Sequence, residues 1–387
     1  MQEIFNFGFF IISPLFWLGL LHTQYKYRQR VKRERHLYES AINPKNSEMR
    51  TFFIAMIVLG IVGSLCSLAV GVEVSYTWIV FYELLAVVAL FLPGTTLPFL
   101  ALFLPMIIVQ LFGDKFYTLS FIGKKHMVLQ NPLPEGIDFL ALLTILLFLQ
   151  YLFIKFNRKS VNSPVIGKNI RGNRVATYLF DKVSVVPLVL LVPGDLFETT
   201  SPFWPVFKIF GVKLSILIVP FLIGLNFRFI GEQPAKIMQR LANAIGWLAL
   251  ASLGITIDAF FWKSPLFEVL AIGCLAVVYC LIMYHFRKVD RKDQNQVEEA
   301  LDGVRVLAVK PQTPASKMKL EIGDLIQVVN GIHVTDEQSL YRALQTSPTF
   351  CRLKIKNRRG DLELKESSIF AGGPHEIGIV TFPSDEK

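Results

Sequence analysis

Residues 313–331 read TPASKMKLEIGDLIQVVNG. Each part of this stretch has its own structural job. Thr313-Pro314-Ala315-Ser316 suits the opening of a short helical turn. Ile322-Gly323-Asp324 makes a turn, and Leu325–Val329 is an apolar run of strand length. Asn330-Gly331 is a type I′ hairpin signal, so Ile332 and Val334 continue into a second strand.

On the N-terminal side, Val304, Val306 and Ala308 alternate as a strand does. On the C-terminal side, Thr335 with Gln338 three residues on reads as a helix N-cap and capping box. The helix runs over about 336–345, with Leu340, Ala343 and Leu344 on one face. Phe350 to Lys356 alternates cleanly, with Cys351, Leu353 and Ile355 inward. Arg359-Gly360-Asp361 turns the chain, Leu362 and Leu364 alternate again, and Ile377–Phe382 forms a final strand after Gly372-Gly373-Pro374.

This order resembles bacterial PDZ domains over about 85 residues, here 300–384. The resemblance implies a small α+β fold with a peptide groove between a strand edge and the helix carrying Leu340 and Leu344. It also implies a carboxylate-binding loop, best matched by Glu376, Ile377, Gly378 and Ile379, leading into Val380. Strand addition would supply affinity through main-chain hydrogen bonds and selectivity through side pockets.

Further towards the N-terminus the chain changes character. Residues 287–299 are charged, carry no apolar face and read as a linker. Before them, long apolar stretches recur over 1–286. Of the 387 residues, 52% are apolar and 18% charged, below the roughly 25% charged of soluble domains. Stretches long enough to span a bilayer, which takes about 20 apolar residues, fall at 4–22, 52–72, 77–93, 97–112, 138–155, 213–229, 241–262 and 266–284. A ninth, 183–204, is interrupted by Pro187 and Pro193. The fold class expected is a polytopic α-helical membrane bundle of eight or nine spans followed by a small α+β domain.

Charge fixes the expected orientation. The net charge is +10, while residues 297–387 hold 12 basic and 13 acidic side chains, so the excess lies in the membrane part. Stretch 23–50 holds Arg28, Arg30, Lys32, Arg33 and Arg35, a basic surface for anionic lipid on the cytoplasmic side. Stretch 156–181 and the residues after 284 are also basic. These sides agree only if 183–204 crosses too. Nucleic acid is a poor partner for charge placed this way.

Chemistry of the enzymatic kind has few candidates. His375-Glu376 is the one His-Glu pair, and Ile379 stands where a metalloprotease motif needs its second histidine. No phosphate-binding loop occurs, and the four cysteines, Cys66, Cys274, Cys280 and Cys351, have no zinc spacing and read as buried reduced thiols. No cofactor or metal is expected. Glu83 and Asp258 lie within apolar stretches, either as a proton relay in a transporter or as hydrogen-bonded carboxyls joining helices.

The chain as a whole resembles the MinJ family of polytopic division-site regulators from rod-shaped Gram-positive bacteria. The residues that carry this are Ser13-Pro14-Leu15-Phe16, Arg30-Val31-Lys32-Arg33-Glu34-Arg35 and the terminal His375-Glu376-Ile377-Gly378-Ile379. The resemblance implies a non-enzymatic scaffold at septa and poles. It would bridge the polar scaffold DivIVA to the ATPase MinD, and restrain division-ring assembly there. The competing reading is a PDZ adaptor that presents substrates to a membrane protease.

Overall fold

A computed structural model describes residues 8–38, 41–42, 45–91, 103–104, 106–107, 136–158, 163–168, 172–198, 206, 213–230, 234–262, 264–292, 297–347, 349–357, 360–368 and 377–383. The membrane part contains helices α1 (Pro14–Tyr38), α2 (Ser47–Val70), α3 (Tyr76–Phe91) and α4 (Gly136–Asn157). Strands β1 (Pro164–Lys168), β2 (Arg174–Glu198) and β3 (Lys213–Phe229) follow, and then helices α5 (Pro234–Trp262) and α6 (Pro265–Lys292). Among the described residues four helices, α2, α4, α5 and α6, are long and apolar enough to cross a membrane, and α3 is a shorter apolar one.

The expected all-helical bundle of eight or nine spans is therefore corrected. Residues 183–198 of one predicted helical span, and all of another at 213–229, fall on an antiparallel hairpin of long strands; 199–204 lie outside the described residues. The reason lies in composition: these runs are rich in β-branched residues (Val183, Val185, Val186, Val189 and Val192 against Ile216, Ile218, Val219 and Ile223) and carry Pro187, Pro193 and Pro220. A continuous apolar run buried on both faces has no periodicity to separate strand from helix. The stretch 97–112 lies outside the described residues, apart from helical positions 103, 104, 106 and 107. The basic stretch 23–38 is helical, since α1 continues through it.

A hairpin among membrane helices must satisfy the hydrogen bonds of its two outer edges, because hydrocarbon offers no partners. Here the flanking helices supply them. On the β2 edge, Ser64 Oγ accepts from the Val189 N–H at 3.1 Å and Ser67 Oγ donates to the Val189 carbonyl at 2.5 Å. The Leu191 N–H donates to the Val72 carbonyl, and Leu191 in turn accepts from the Val74 N–H. On the β3 edge, the Tyr82 hydroxyl accepts from the Leu222 N–H at 2.8 Å and Gln150 Nε2 donates to the Gly224 carbonyl at 2.8 Å. Outward-facing backbone thus falls on odd residues of β2 and even residues of β3. Pro187 and Pro220 share that parity and stand opposite each other in register. Each therefore removes an N–H that would otherwise point outward.

Close approach makes this covering possible. A side chain at Gly60 would press on Pro187, one at Gly19 on Val185 at 2.6 Å, and one at Gly63 on Leu188 and on Leu149. Lys182 bonds Thr51 near the start of α2 and Leu191 meets the chain just after its end. At about 3.3 Å per residue that stretch of β2 is about 30 Å long, the thickness of a bilayer's apolar layer. Behind the hairpin, Tyr82 stacks between Trp78 and Phe221, with centroids 5.3 and 5.0 Å away. Trp78 is fully buried here, whereas Trp247 and Trp262 are exposed. Of the cysteines, Cys351 is buried as expected and Cys274 is exposed on α6. Replacing Tyr82 with phenylalanine keeps the ring packing but orphans the buried Leu222 N–H. We expect a loss of about 1–3 kcal/mol, measured as a lowered Tm in detergent micelles.

The C-terminal domain comprises β4 (Val304–Arg305), β5 (Ala308–Val309), α7 (Pro314–Lys317), β6 (Leu325–Val329), β7 (Ile332–His333), α8 (Glu337–Gln345), β8 (Phe350–Lys356), β9 (Leu362–Ser368) and β10 (Ile379–Val380). One sheet runs β4-β6-β8-β9 with β7 on β6, and β10 pairs with β5. Asn330 and Gly331 both have positive φ, as the I′ hairpin requires. The cap of α8 sits one residue later than the sequence suggested. Asp336 accepts from the Ser339 N–H at 2.7 Å, and the Ser339 hydroxyl closes the box. That N–H bond holds the Asp336 carboxyl below the usual carboxylate range.

Candidate functional site: the strand edge beside α8 and the basic end of the bundle

The final strand positions the predicted peptide site. Lys310 N–H donates to the Gly378 carbonyl and Leu307 N–H to the Val380 carbonyl, so Gly378 and Val380 turn their backbone towards β5. By alternation the N–H and C=O groups of Ile379 and Thr381 face away from β5. Ile377, Leu340 and Leu344 are buried in one hydrophobic cluster, and Ile379 packs against it half-buried. The structure therefore brings these four predicted residues together. Glu376 lies outside the described residues.

Gly378 has φ +85° and lies against Thr313, whose side chain occupies the space any Cβ would need. The Ala315 N–H donates to the Ile377 carbonyl. The loop is thus shaped by the start of α7, and Thr313 is a residue the sequence reading did not connect to it. The pairing needs a fold, since 65 residues separate the two.

Val380 belongs elsewhere. With Leu307, Ala308 and Phe382 it joins the apolar core that continues into the membrane part. Tyr178 of β2 donates its hydroxyl to the Leu307 carbonyl at 2.7 Å, and Arg174 donates to the Pro383 carbonyl at 2.6 Å. The Arg174 guanidinium also lies over the Phe382 ring and pairs with Glu299 at 3.3 Å. The segment read as a linker takes part as well. Residues 287–292 are the end of α6, and Val297–Glu299 hydrogen-bond alongside Arg174 and Ala176. One strand, β2, therefore touches the C-terminal domain at its first turns of sequence and α2 further on. No sequence signal marks Arg174 or Tyr178 as docking residues.

The basic residues of α1 divide by position. Arg28, Lys32 and Arg35 are exposed and Arg33 is half-buried, but Arg30 is buried and leaves the membrane-surface set. Its guanidinium holds Glu34 at 2.6 Å and Glu48 at 2.5 Å. Glu34 also accepts from the Ile42 N–H and the Ser163 hydroxyl. Burial pulls the Arg30 pKa down, yet the bonds and charges of Glu48 and Glu34 outweigh it and leave it above the usual arginine value. A cation placed this way clamps α1, the turn into α2 and the residue before β1, rather than meeting lipid.

Of the two acids in apolar stretches, Glu83 accepts from the Ser13 hydroxyl at 2.8 Å and so ties α3 to the start of α1. Asp258 is exposed one turn from the end of α5. No cluster of three metal-ligating side chains occurs among the described residues.

Among the described residues, four helices long and apolar enough to cross a membrane precede a small sheet-and-helix module, the arrangement of a membrane protein bearing a PDZ domain. A family model described as PDZ domain matches residues 305–357. Among curated proteins, the probable cell division topological determinant MinJ of Lacticaseibacillus paracasei is 30% identical over 380 residues, covering 97% of this chain and 98% of that protein. The cell division topological determinant MinJ of Bacillus subtilis (strain 168) is 25% identical over 383 residues, covering 98% and 95%. The chain belongs to the MinJ family of cell division topological determinants. Among solved structures, the PDZ domain of the SdrC-like protein from Listeria monocytogenes is 25% identical, with a TM-score of 0.19, covering 21% of this chain and 90% of that one.

Proposed function

We propose that the protein is a non-enzymatic membrane scaffold that bridges a DivIVA-like polar scaffold to a MinD-like ATPase. By doing so it would restrict division-ring assembly near poles and septa. Membership of the MinJ family supports the division role. The observation that carries the scaffold reading is the docking of the PDZ domain onto β2, a strand that itself runs into the bundle. Such a domain is presented at a set place beside the membrane, which raises its effective concentration for other membrane-bound proteins.

The working division is a membrane part over 1–286 and a PDZ part over 300–384, the latter in the cytoplasm. Charge supports this side. Arg28 and Lys32, in the second half of α1, and Arg50, Lys155, Arg228, Lys236, Arg287 and Lys288, near segment ends, lie at one pole of the bundle. Glu73, Asp138, Asp258 and Glu268 lie at the other. That asymmetry follows the positive-inside pattern. A hairpin that goes in and returns keeps the parity that the PDZ side requires, using strands where the sequence suggested helices.

The edge formed by Ile379, with Leu340 and Leu344 behind it, is the proposed partner site. The exposed Arg28, Lys32 and Arg35, with Arg33, meet anionic lipid. A photo-crosslinking amino acid at position 379 of the full-length protein in living cells should capture a division protein. Capture from position 32 alone would move the partner surface to α1. A proteolytic substrate that accumulates in cells lacking the protein, with division proteins still in place, would instead favour the protease adaptor.

A further inference from the structure

Strand β9 is turned inside out. On its neighbour β8, Cys351, Leu353 and Ile355 point inward and are fully buried, while Phe350, Arg352, Lys354 and Lys356 point outward. In register with them, β9 places Glu363, Lys365 and Ser367 on the inner side and Leu362 and Leu364 on the outer. Leu362 and Leu364 are 57% and 61% exposed, although ordinary patterning would bury them and expose their polar neighbours. Leu364 stands opposite Lys354 and Leu362 opposite Lys356. Among the described residues neither lysine has a hydrogen bond or ion pair, whereas Arg352 beside them is held by Glu366 at 2.6 Å.

We propose that this outer sheet face, Leu362 and Leu364 with Lys354 and Lys356, is a footing on the anionic bilayer surface. The chemistry is that of an interfacial segment, in which leucines enter the headgroup boundary while lysines meet lipid phosphates. Position supports the same occupant. One cross-strand row runs Arg305, Leu325, Lys356, Leu362. At its near end Arg305 donates to the Glu298 carbonyl, and Glu298 bridges to Val175 of β2. At about 4.8 Å per strand, Leu362 lies about 14 Å along the sheet from Arg305, which bonds the segment that pairs with β2. The face is thus continuous with that interface, and the chain leaves α6 only a few residues earlier. This footing is separate from the Ile379 edge and stands whichever partner occupies that edge.

The test uses the full-length chain in lipid nanodiscs, with an environment-sensitive fluorescent amino acid at position 364 and bromine-labelled lipids as quenchers. In discs containing phosphatidylglycerol the probe should be blue-shifted and quenched. In discs of phosphatidylcholine alone both effects should be lost, as they should in the K354E/K356E variant, whose changes are exposed. A probe that remains water-like and unquenched in anionic discs overturns the proposal. So does protection that arises only on adding an acidic protein, which would assign the face to a protein partner.

Discussion

Replacing Glu48 with alanine is expected to be among the most damaging single changes in the membrane part, costing about 3–5 kcal/mol. The Arg30 side chain is 4% exposed and its charge is shared between Glu34 and Glu48. Removing Glu48 leaves a buried guanidinium with half its compensation. Water cannot enter freely to replace it, because Ile42, Ser163 and α2 close around the pair. The damage would reach the hairpin, since Glu34 fastens the residue that precedes β1. A suitable control is Glu366→Ala. Its pair with Arg352 is similarly short but exposed, so solvent screening leaves at most about 1 kcal/mol at stake. Thermal unfolding of both variants in the same detergent measures the contrast. Equal shifts in Tm would mean that Arg30 is hydrated and the clamp is not as closed as described.

Gly378→Val should unfold the PDZ domain or its final strand while leaving the bundle intact. Two costs add. The φ of +85° is unfavourable to any residue with a Cβ, by about 1–2 kcal/mol. The new side chain also meets Thr313, and overpacking of that kind costs about 1–3 kcal/mol. Gly331→Val isolates the first cost, because Gly331 has a φ of +87° but open space around it. Limited proteolysis should therefore cut the C-terminal domain of the Gly378 variant much faster than that of the Gly331 variant. Similar cutting of the two would show that Thr313 can move aside. One consequence concerns the groove: a bulky residue at Gly378 destroys the domain as well as the loop. Loss of partner binding in that variant says nothing of the groove, and position 379 is the better probe.

The PDZ part was legible because its signals are local. Asn330-Gly331 dictates a hairpin, Cys351, Leu353 and Ile355 alternate against basic residues, and Leu340 with Leu344 marks a buried helix face. The cap moved by only one residue, from Thr335 to Asp336, since Ser339 rather than Gln338 closes the box. The membrane part was less legible. An apolar run such as 213–229 satisfies the hydropathy of a span, and nothing in hydropathy separates a helix from a strand whose edges are covered by Ser64, Ser67, Tyr82 and Gln150. Pro187 and Pro220 were the readable clue, because prolines aligned across a hairpin suit an outward edge and not a helix interior. Arg30 escaped for a related reason. Within a run of cations, the one that is buried is set by Glu34 and Glu48, and Glu48 arrives from the next helix.

Leu362 and Leu364 illustrate the opposite failure. Their alternation correctly announced a strand, but not the face they would occupy. Register with β8 decides that, and a shift of one residue exchanges the two faces of a strand.

The most direct measurement of the central claim is the position of a fluorescent fusion of the full-length protein in growing rod-shaped cells, with and without the polar scaffold. A division-topology scaffold should concentrate at septa and poles, lose that focus when the polar scaffold is absent, and take the MinD-like ATPase with it. A uniform membrane signal that ignores the polar scaffold would contradict the account.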